Sequence, residues 1–566
     1  MSYIFDNSNL NESYSGVTSH LTASFARRVY EQVYIQFCRF MGVSVRVIED
    51  NHSMFAQMVI QIGGRMYYDL KNWHQMISFF PGYTLNGAFL EDMLGIPEEM
   101  RGQILVKKSK LQNFVNLVYV CWLLVRMIGI FLTMRLWIIL FDRRFLSRYH
   151  AIEQEICNLD SWDSLLKLYT KAELDFTKDF KIPIANDFAV MISVGLLKKR
   201  CEQWFDDGGQ IANQFISGHA GIKSAEPGRY LFRLVKKISQ DSSLVQLFKS
   251  KNLEHIYSTL NKSHPDIFKD VDYYIQHYGD RVPGELKLES ITYTNQPLEL
   301  IRIIKGQIQS FKQEVTQSVD PDSDQRFLVQ ISKLSWFQRI EFAWLQRWVQ
   351  VSVSRREDTR FKRTQVFGLA RRLFLLMGDW LVEHGYLKKR DDVFLLTVEQ
   401  LEMVASVHHK TVRSWVKTAA KKYAFYSSLY LPRRIISKNL DVDLMKYKKK
   451  TPSTMLIQTK GIVASRGLSG NVIIKGQSVV IDQFDPVVDY RNKILVTRFT
   501  DPGWTIVFPS LKGLVVERGG MLSHAAIVAR EFDLPCIINA KEAVESLRHA
   551  KHVAMDLRSG TVRPIE

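Results

Sequence analysis

At 566 residues the chain is long enough for several domains, each with a substantial core. Hydrophobic residues at 46% and charged residues at 24% are the proportions of a folded globular protein, which excludes a disordered or fibrous chain. The net charge of +18, from 76 basic against 58 acidic residues, suits ATP, a phosphorylated acceptor, nucleic acid or an anionic membrane. No zinc-finger spacing, RNP-like aromatic motif or Arg-rich tail turns this basicity into nucleic-acid recognition, so no nucleic-acid partner is expected. Cys38, Cys121, Cys157, Cys201 and Cys536 are scattered and form no Cys-x-x-Cys. That argues against a structural zinc or a disulfide framework and fits a reducing cytoplasm. The N-terminus lacks the basic start and apolar core of a signal peptide, so the expected location is cytoplasmic.

Along the chain, Gly63-Gly64 alone is no nucleotide signature, and there is no Gly-x-x-x-x-Gly-Lys-Ser/Thr loop. Residues 111–149 form an apolar helical segment. Its central run, Val115 to Phe141, exceeds the length needed to cross a bilayer. Arg126 and Arg135 interrupt it, each costing roughly 2.5–3.5 kcal/mol at a bilayer centre. Lys107, Lys108 and Lys110 flank one side, and Arg143, Arg144 and Arg148 the other, so no charge asymmetry orients a span. Three readings stand: a buried or interdomain helix pair, an interfacial amphipathic helix in peripheral contact with a membrane, or a true span.

From about 150 to 445 the apolar spacing is helical, as in Phe327–Trp336 and Phe367–Val382. The pattern stops near Lys438. The run Met445-Lys-Tyr-Lys-Lys-Lys-Thr-Pro-Ser453 reads as a basic, Pro-containing linker. Beyond it come short β-branched runs such as Gly470-Asn-Val-Ile-Ile-Lys-Gly476, then alternating strand and helix. The fold class expected is multidomain: a large, mainly α-helical N-terminal domain over 1–445, a linker at 446–456, and a small α/β domain over 457–566.

The most informative run is Val516-Glu-Arg-Gly-Gly-Met-Leu-Ser-His-Ala-Ala-Ile-Val-Ala-Arg530. It describes a strand leaving a sheet, a sharp turn at Gly519-Gly520, and a helix capped by Ser523 with His524 in its first turn. Free backbone N–H groups and the positive end of the helix dipole favour an anion there, and a phosphoryl group is the natural one. A neutral imidazole is a nucleophile at cellular pH, so the residues describe a phosphoryl-carrying histidine. A surface or hydrogen-bonded histidine is the alternative for any one of the 14 in the chain.

With these residues in view, the segment from about Gly461 to Glu566 resembles the swivelling phosphohistidine domain of PEP-utilising enzymes, a family that includes pyruvate phosphate dikinase, PEP synthase and rifampicin phosphotransferase. The likeness runs through Gly461–Gly470, Lys493–Trp504, Asp533–Ile538 and Ser559–Val562 as well as the His motif. By that resemblance His524 is the carrier, Gly519, Gly520 and Ser523 the phosphate-stabilising motif, and Arg530 its closing Arg. Val516 stands where members often carry Thr, and Leu522 where the dikinases carry Thr, the Leu form resembling the rifampicin-phosphotransferase side of the family. The long helical part resembles the acceptor-binding domain of rifampicin-phosphotransferase-like members in Asn11–Thr22, Ile222–Arg229, Tyr278–Glu285, Arg356–Phe361 and Gly385–Leu396. His20 stands there in place of a usual Pro, and Asp280 in place of a usual His. Arg281, Glu285, Arg356 and Glu357 are candidate acceptor-binding residues by this likeness. As residues alone they read first as ion pairs across packed helices, since buried Arg–carboxylate pairs are common scaffolding.

Complete enzymes of this kind begin with an ATP-grasp module, and the pyruvate-phosphorylating ones end with a barrel. This sequence starts at what resembles the acceptor domain and ends after the His domain. The resemblance therefore implies a phosphotransferase component loaded by a separate ATP-grasp protein from ATP, or from PEP. A small-molecule acceptor would sit in the helical domain, with the His domain swivelling about 438–455. Mg²⁺ would be held mostly by the partner, since no carboxylate cluster here demands a metal. The rival expectation is a non-catalytic helical scaffold or membrane-associated protein retaining a degenerate His domain.

Overall fold

The computed structural model describes residues 3–8, 10–11, 13–80, 113–157, 159–205, 208, 212, 225–308, 331, 334–447, 458–467, 472–520 and 523–565. The chain is multidomain, with a large helical region and a sheet-rich C-terminal portion. Its residues group into two compact units that are discontinuous in sequence. One comprises Met1–Gly195, Leu286–Glu289 and Gln365–Lys450; the other comprises Leu196–Glu285, Ser290–Thr364 and Thr451–Glu566. The expectation was one helical domain over 1–445. Instead, 196–285 and 290–364 group with the C-terminal sheet. The crossing between Lys450 and Thr451 lies inside the expected linker, of which 448–456 fall outside the described residues.

The first unit holds a four-stranded antiparallel sheet that the helical periodicity did not announce. Its strands are β1 (Tyr3–Asp6), β2 (Val59–Ile62), β3 (Arg65–Asp69) and β4 (Arg434–Ser437), ordered β2-β3-β1-β4. Gly63 and Gly64 are the two-residue turn of the β2–β3 hairpin. Their φ values of 51° and 77° are the left-handed pair such a turn requires. Beside the sheet runs the helix His20–Met41, with Ser19 accepting from the Thr22 N–H at one end and Gly42 at φ 104° closing the other. Its Phe25 meets Phe367 and Phe374 edge-on, with ring centroids 5.2 and 5.9 Å away.

The short segment Leu286–Glu289 belongs to this unit for a physical reason. Leu286 and Leu288 are buried in its core, and Glu289 accepts from the Ser19 N–H at 2.9 Å and the Thr22 hydroxyl at 2.6 Å. Arg371 Nε donates to the Leu288 carbonyl at 3.0 Å.

The apolar segment is a helix pair, Asn113–Leu132 and Met134–Ile156, bent by 65° at Thr133. Leu123, Met127, Ile130, Met134, Ile138 and Phe141 are buried. By length and composition this pair could cross a membrane, as could the run Trp162–Trp204, of which 67% of the apolar window is buried.

The second unit has an eight-stranded sheet: β5 (Thr459–Lys460), β6 (Ile462–Ser465), β7 (Ile473–Val480), β8 (Ile494–Thr497), β9 (Gly513–Val516), β10 (Cys536–Ile538), β11 (His552–Asp556) and β12 (Thr561–Ile565). The order is β5-β12-β11-β7-β8-β9-β10-β6. Only β7-β8-β9-β10 pair in parallel, and β8, β9 and β10 are buried along their whole length, as a covered parallel sheet demands. Helices Glu226–Ser239, Leu253–Ser263, Pro265–Tyr278 and Pro297–Ile308 pack with this sheet region. Leu231, Leu234, Val235 and Ile238 share one core with Trp504, Phe508, Leu514 and Val528. That common core is why the unit ignores the sequence boundary near 450.

Candidate active site

The site starts at the C-terminal end of β9. After Val516 the chain turns through Gly519, whose φ of 136° favours glycine, and Gly520, around which a Cβ would find open space. Met521 and Leu522 lie outside the described residues. Ser523 then caps the helix His524–Glu531, its hydroxyl accepting from the Ala526 N–H at 3.4 Å. The apolar face of this helix, with Ala525, Ala526, Ile527, Val528 and Ala529 all buried, fixes it on the sheet. His524 is consequently the first helical residue, aimed inward, and 0% exposed.

Its imidazole is bracketed from two sides. Nε2 lies 3.1 Å from the Thr505 hydroxyl, which donates to the Pro502 carbonyl at 2.7 Å. Nδ1 faces Glu357 Oε2 at 4.0 Å. Burial pulls the His524 pKa down to about 3, with Arg281 and Arg360 pushing the same way and Glu357 opposing. The ring is therefore neutral across the physiological range, as a nucleophile must be.

Opposite the histidine, charged groups are buried and paired. Arg281 and Glu285, each 1% exposed, form a two-pronged contact at 3.1 and 3.0 Å, and Arg281 also donates to Thr364 Oγ1 at 3.3 Å. The Arg281 guanidinium stacks over the Phe361 ring at 5.2 Å. Glu357, on the long helix Trp336–Glu383, accepts from Arg360 at 3.3 Å. Of the four residues expected to bind an acceptor, Arg281 and Glu357 sit in the electrostatic field of His524, and Glu285 is tied to Arg281. Arg356 is half-buried one residue before Glu357, and its carbonyl accepts from Thr359. Arg530 points elsewhere: its Nε donates to the Ala464 carbonyl of β6 at 2.8 Å, anchoring the His helix to the sheet edge.

Two further residues complete the arrangement. Asp501 is buried and accepts from the Gly284 N–H at 2.8 Å and the Gly503 N–H at 3.0 Å. Burial, reinforced by Glu285, pushes its carboxyl up to about 8. Gly503 approaches the 282–283 backbone so closely that a Cβ would lie 2.1 Å from Pro283 N. Thr505 and Asp501 lie in or beside the Thr-Asp-Pro-Gly-Trp run, which the sequence marks as a loop but whose contacts only the fold supplies.

The carboxylates here do not fit a divalent cation. Glu285 is clamped by Arg281, Glu357 is bonded to Arg360, and Asp501 is engaged by two N–H groups, leaving no open set of oxygen ligands. Among the described residues, no group of three or more His, Cys, Asp or Glu side chains could hold a metal ion.

Comparison with known proteins gives two family matches. Residues 490–560 match the family described as PEP-utilising enzyme, mobile domain, and residues 184–357 match the rifampicin phosphotransferase fourth domain. The chain thus matches the PEP-utilising family, combining its mobile domain with a rifampicin-phosphotransferase-type fourth domain. It is 26% identical to a rifampicin phosphotransferase of Bacillus subtilis over 309 residues, covering 51% of this chain and 33% of the relative. To the rifampicin phosphotransferase of Bacillus cereus it is 23% identical over 403 residues, covering 67% of this chain and 44% of the relative. A phosphoenolpyruvate synthase of Aquifex aeolicus is 30% identical over 131 residues, 23% of this chain and 15% of the relative. The chain therefore spans a third to under a half of the two rifampicin phosphotransferases it matches.

Proposed function

We propose that this chain is a phosphotransferase component in which His524 is transiently phosphorylated and passes the phosphoryl group to a small-molecule acceptor held by the helical region. The observation that carries this reading is a buried, neutral imidazole at a helix N-terminus, opposite Arg281, Arg360 and Glu357. A ring nitrogen of His524 takes the phosphoryl group from ATP, offered by a separate ATP-grasp protein, or from PEP. Mg²⁺ would be held at that loading site, largely by the partner, because the carboxylates around His524 are already engaged.

A fully buried ring cannot reach a donor on another protein, so loading requires the His domain to leave this position. The linker region 438–455 is the proposed hinge. On return, the charges of Arg281 and Arg360 offset the phosphoryl oxygens, and Glu357 takes the proton of the acceptor hydroxyl. The N–P bond breaks as the new O–P bond forms, and the ring nitrogen recovers its lone pair. The reading is tested by Glu357→Gln: histidine loading should survive while transfer to an acceptor slows about 10²–10⁴-fold. Equal loss of both steps would refute that division of labour.

A further inference from the structure

The helix 118–132 is apolar on the face that points away from the protein as well as on the face that packs. Leu123, Met127 and Ile130 enter the core. On the opposite side, at three- and four-residue spacing, stand Val118, Cys121, Val125, Ile128 and Leu132, all exposed, with Val125 at 69% and Leu132 at 77%. Past the bend, Leu136 and Ile139 continue the exposed apolar surface until Arg143 and Arg144 end it. A water-facing helix ordinarily carries charge on this side. The one charge inside the first helix does not serve: Arg126 is turned aside, donating to the Phe40 carbonyl at 3.1 and 3.0 Å.

We infer that this face is a membrane-docking surface that lies in the interface of an anionic lipid bilayer without spanning it. Three observations select that occupant. Along this stretch of the chain the charge has one sign: no acidic residue occurs between Glu99 and Asp142, while Arg135, Arg143 and Arg144 are exposed. That pattern attracts anionic headgroups and repels a second copy of the same face. Tyr119, Trp122 and Trp137 lie along its flanks, the amphipathic side chains that suit a headgroup boundary. Spanning is excluded because the other side of the helix is committed to the core, with Leu123, Met127 and Ile130 buried there, and because the pair is bent by 65° at Thr133. The surface is distinct from the His524 site and independent of the reaction assigned to it.

The test is flotation of the full chain with vesicles of phosphatidylcholine alone and of phosphatidylcholine with about one third phosphatidylserine. The wild type should float with the mixed vesicles and far less with the neutral ones. Val125→Glu/Leu132→Glu should lower the partition coefficient at least tenfold. These positions are exposed, so the unfolding midpoint should not move. Arg143→Ala/Arg144→Ala should lose about fivefold per arginine on the mixed vesicles only, an effect that salt abolishes. A fluorophore on Cys121, with Cys157→Ser, should shift to the blue on binding. A wild type that stays lipid-free with both vesicle types would overturn the inference. So would binding unchanged by the glutamate pair, or a lipid-insensitive dimer that the glutamate pair converts to monomer.

Discussion

Replacing His524 by Gln should remove an acid-driven opening of the site. In the closed arrangement the imidazole pKa lies near 3, against 6.5 for an ordinary histidine. The folded form is the one with the lower pKa, so above pH 6.5 neither state binds the proton and nothing is lost. As pH falls below 6.5, the open or unfolded state takes up a proton that the closed state refuses. The closed state loses about 1.36 kcal/mol per pH unit until pH approaches 3. At pH 5, which is 1.5 units below 6.5, the cost is about 2 kcal/mol, and the full effect is roughly 5 kcal/mol. Hydrogen exchange of the 524–531 amides, corrected for the intrinsic pH dependence of exchange, reads the opening constant directly. For the wild type it should rise about tenfold per pH unit below 6.5 relative to His524→Gln. Parallel pH profiles for the two proteins would refute the burial and neutrality assigned to His524.

Gly503→Ala places a Cβ 2.1 Å from Pro283 N and 2.2 Å from Val282 C, both backbone atoms. It should cost at least about 1–3 kcal/mol in a urea unfolding experiment and loosen the Asp501–Gly284 contact; an unmoved midpoint would contradict that packing. Arg281→Met leaves Glu285 buried without its partner, a loss of about 3–5 kcal/mol that Arg281→Met/Glu285→Leu should largely restore. A double variant no more stable than the single one would show that the pair is not an isolated ion pair. Ser523→Ala removes the cap of the His helix and should lower stability by about 1 kcal/mol, with Ser523→Asp close to wild type in thermal unfolding.

What the sequence made legible follows from how local each feature is. The turn, cap and helix around His524 are encoded within fifteen residues, so Gly519, Ser523 and the alanine-rich face could be read directly and appear in the structure. The sheet of the first unit was hidden because it is non-local: β1 pairs Asp6 with Arg434, and each strand is only four or five residues long. Gly63-Gly64 was set aside as a nucleotide signature, and its turn role needed β2 and β3 to be recognised first. Thr505 and Asp501 were missed for a different reason. Their significance comes from the atoms they meet, His524 and the Gly284 N–H, at separations of 19 and 217 residues. The charged runs Arg281–Glu285 and Arg356–Glu357 were open to both an ion-pair and a functional reading. The structure shows the ion pair of Arg281 with Glu285, and also places Arg281 and Glu357 in the field of the histidine.

The central claim is tested most directly by loading His524. The chain is mixed with an ATP-grasp protein and ATP labelled at the β- or γ-phosphoryl, and in parallel with labelled PEP. Acid-labile, base-stable label is then sought on the wild type and on His524→Ala. The account predicts label on the wild type alone, dependent on the donor system, with the labelled position naming the phosphoryl transferred. Label that persists in His524→Ala, or a wild type that takes none from any of these donors, would contradict it.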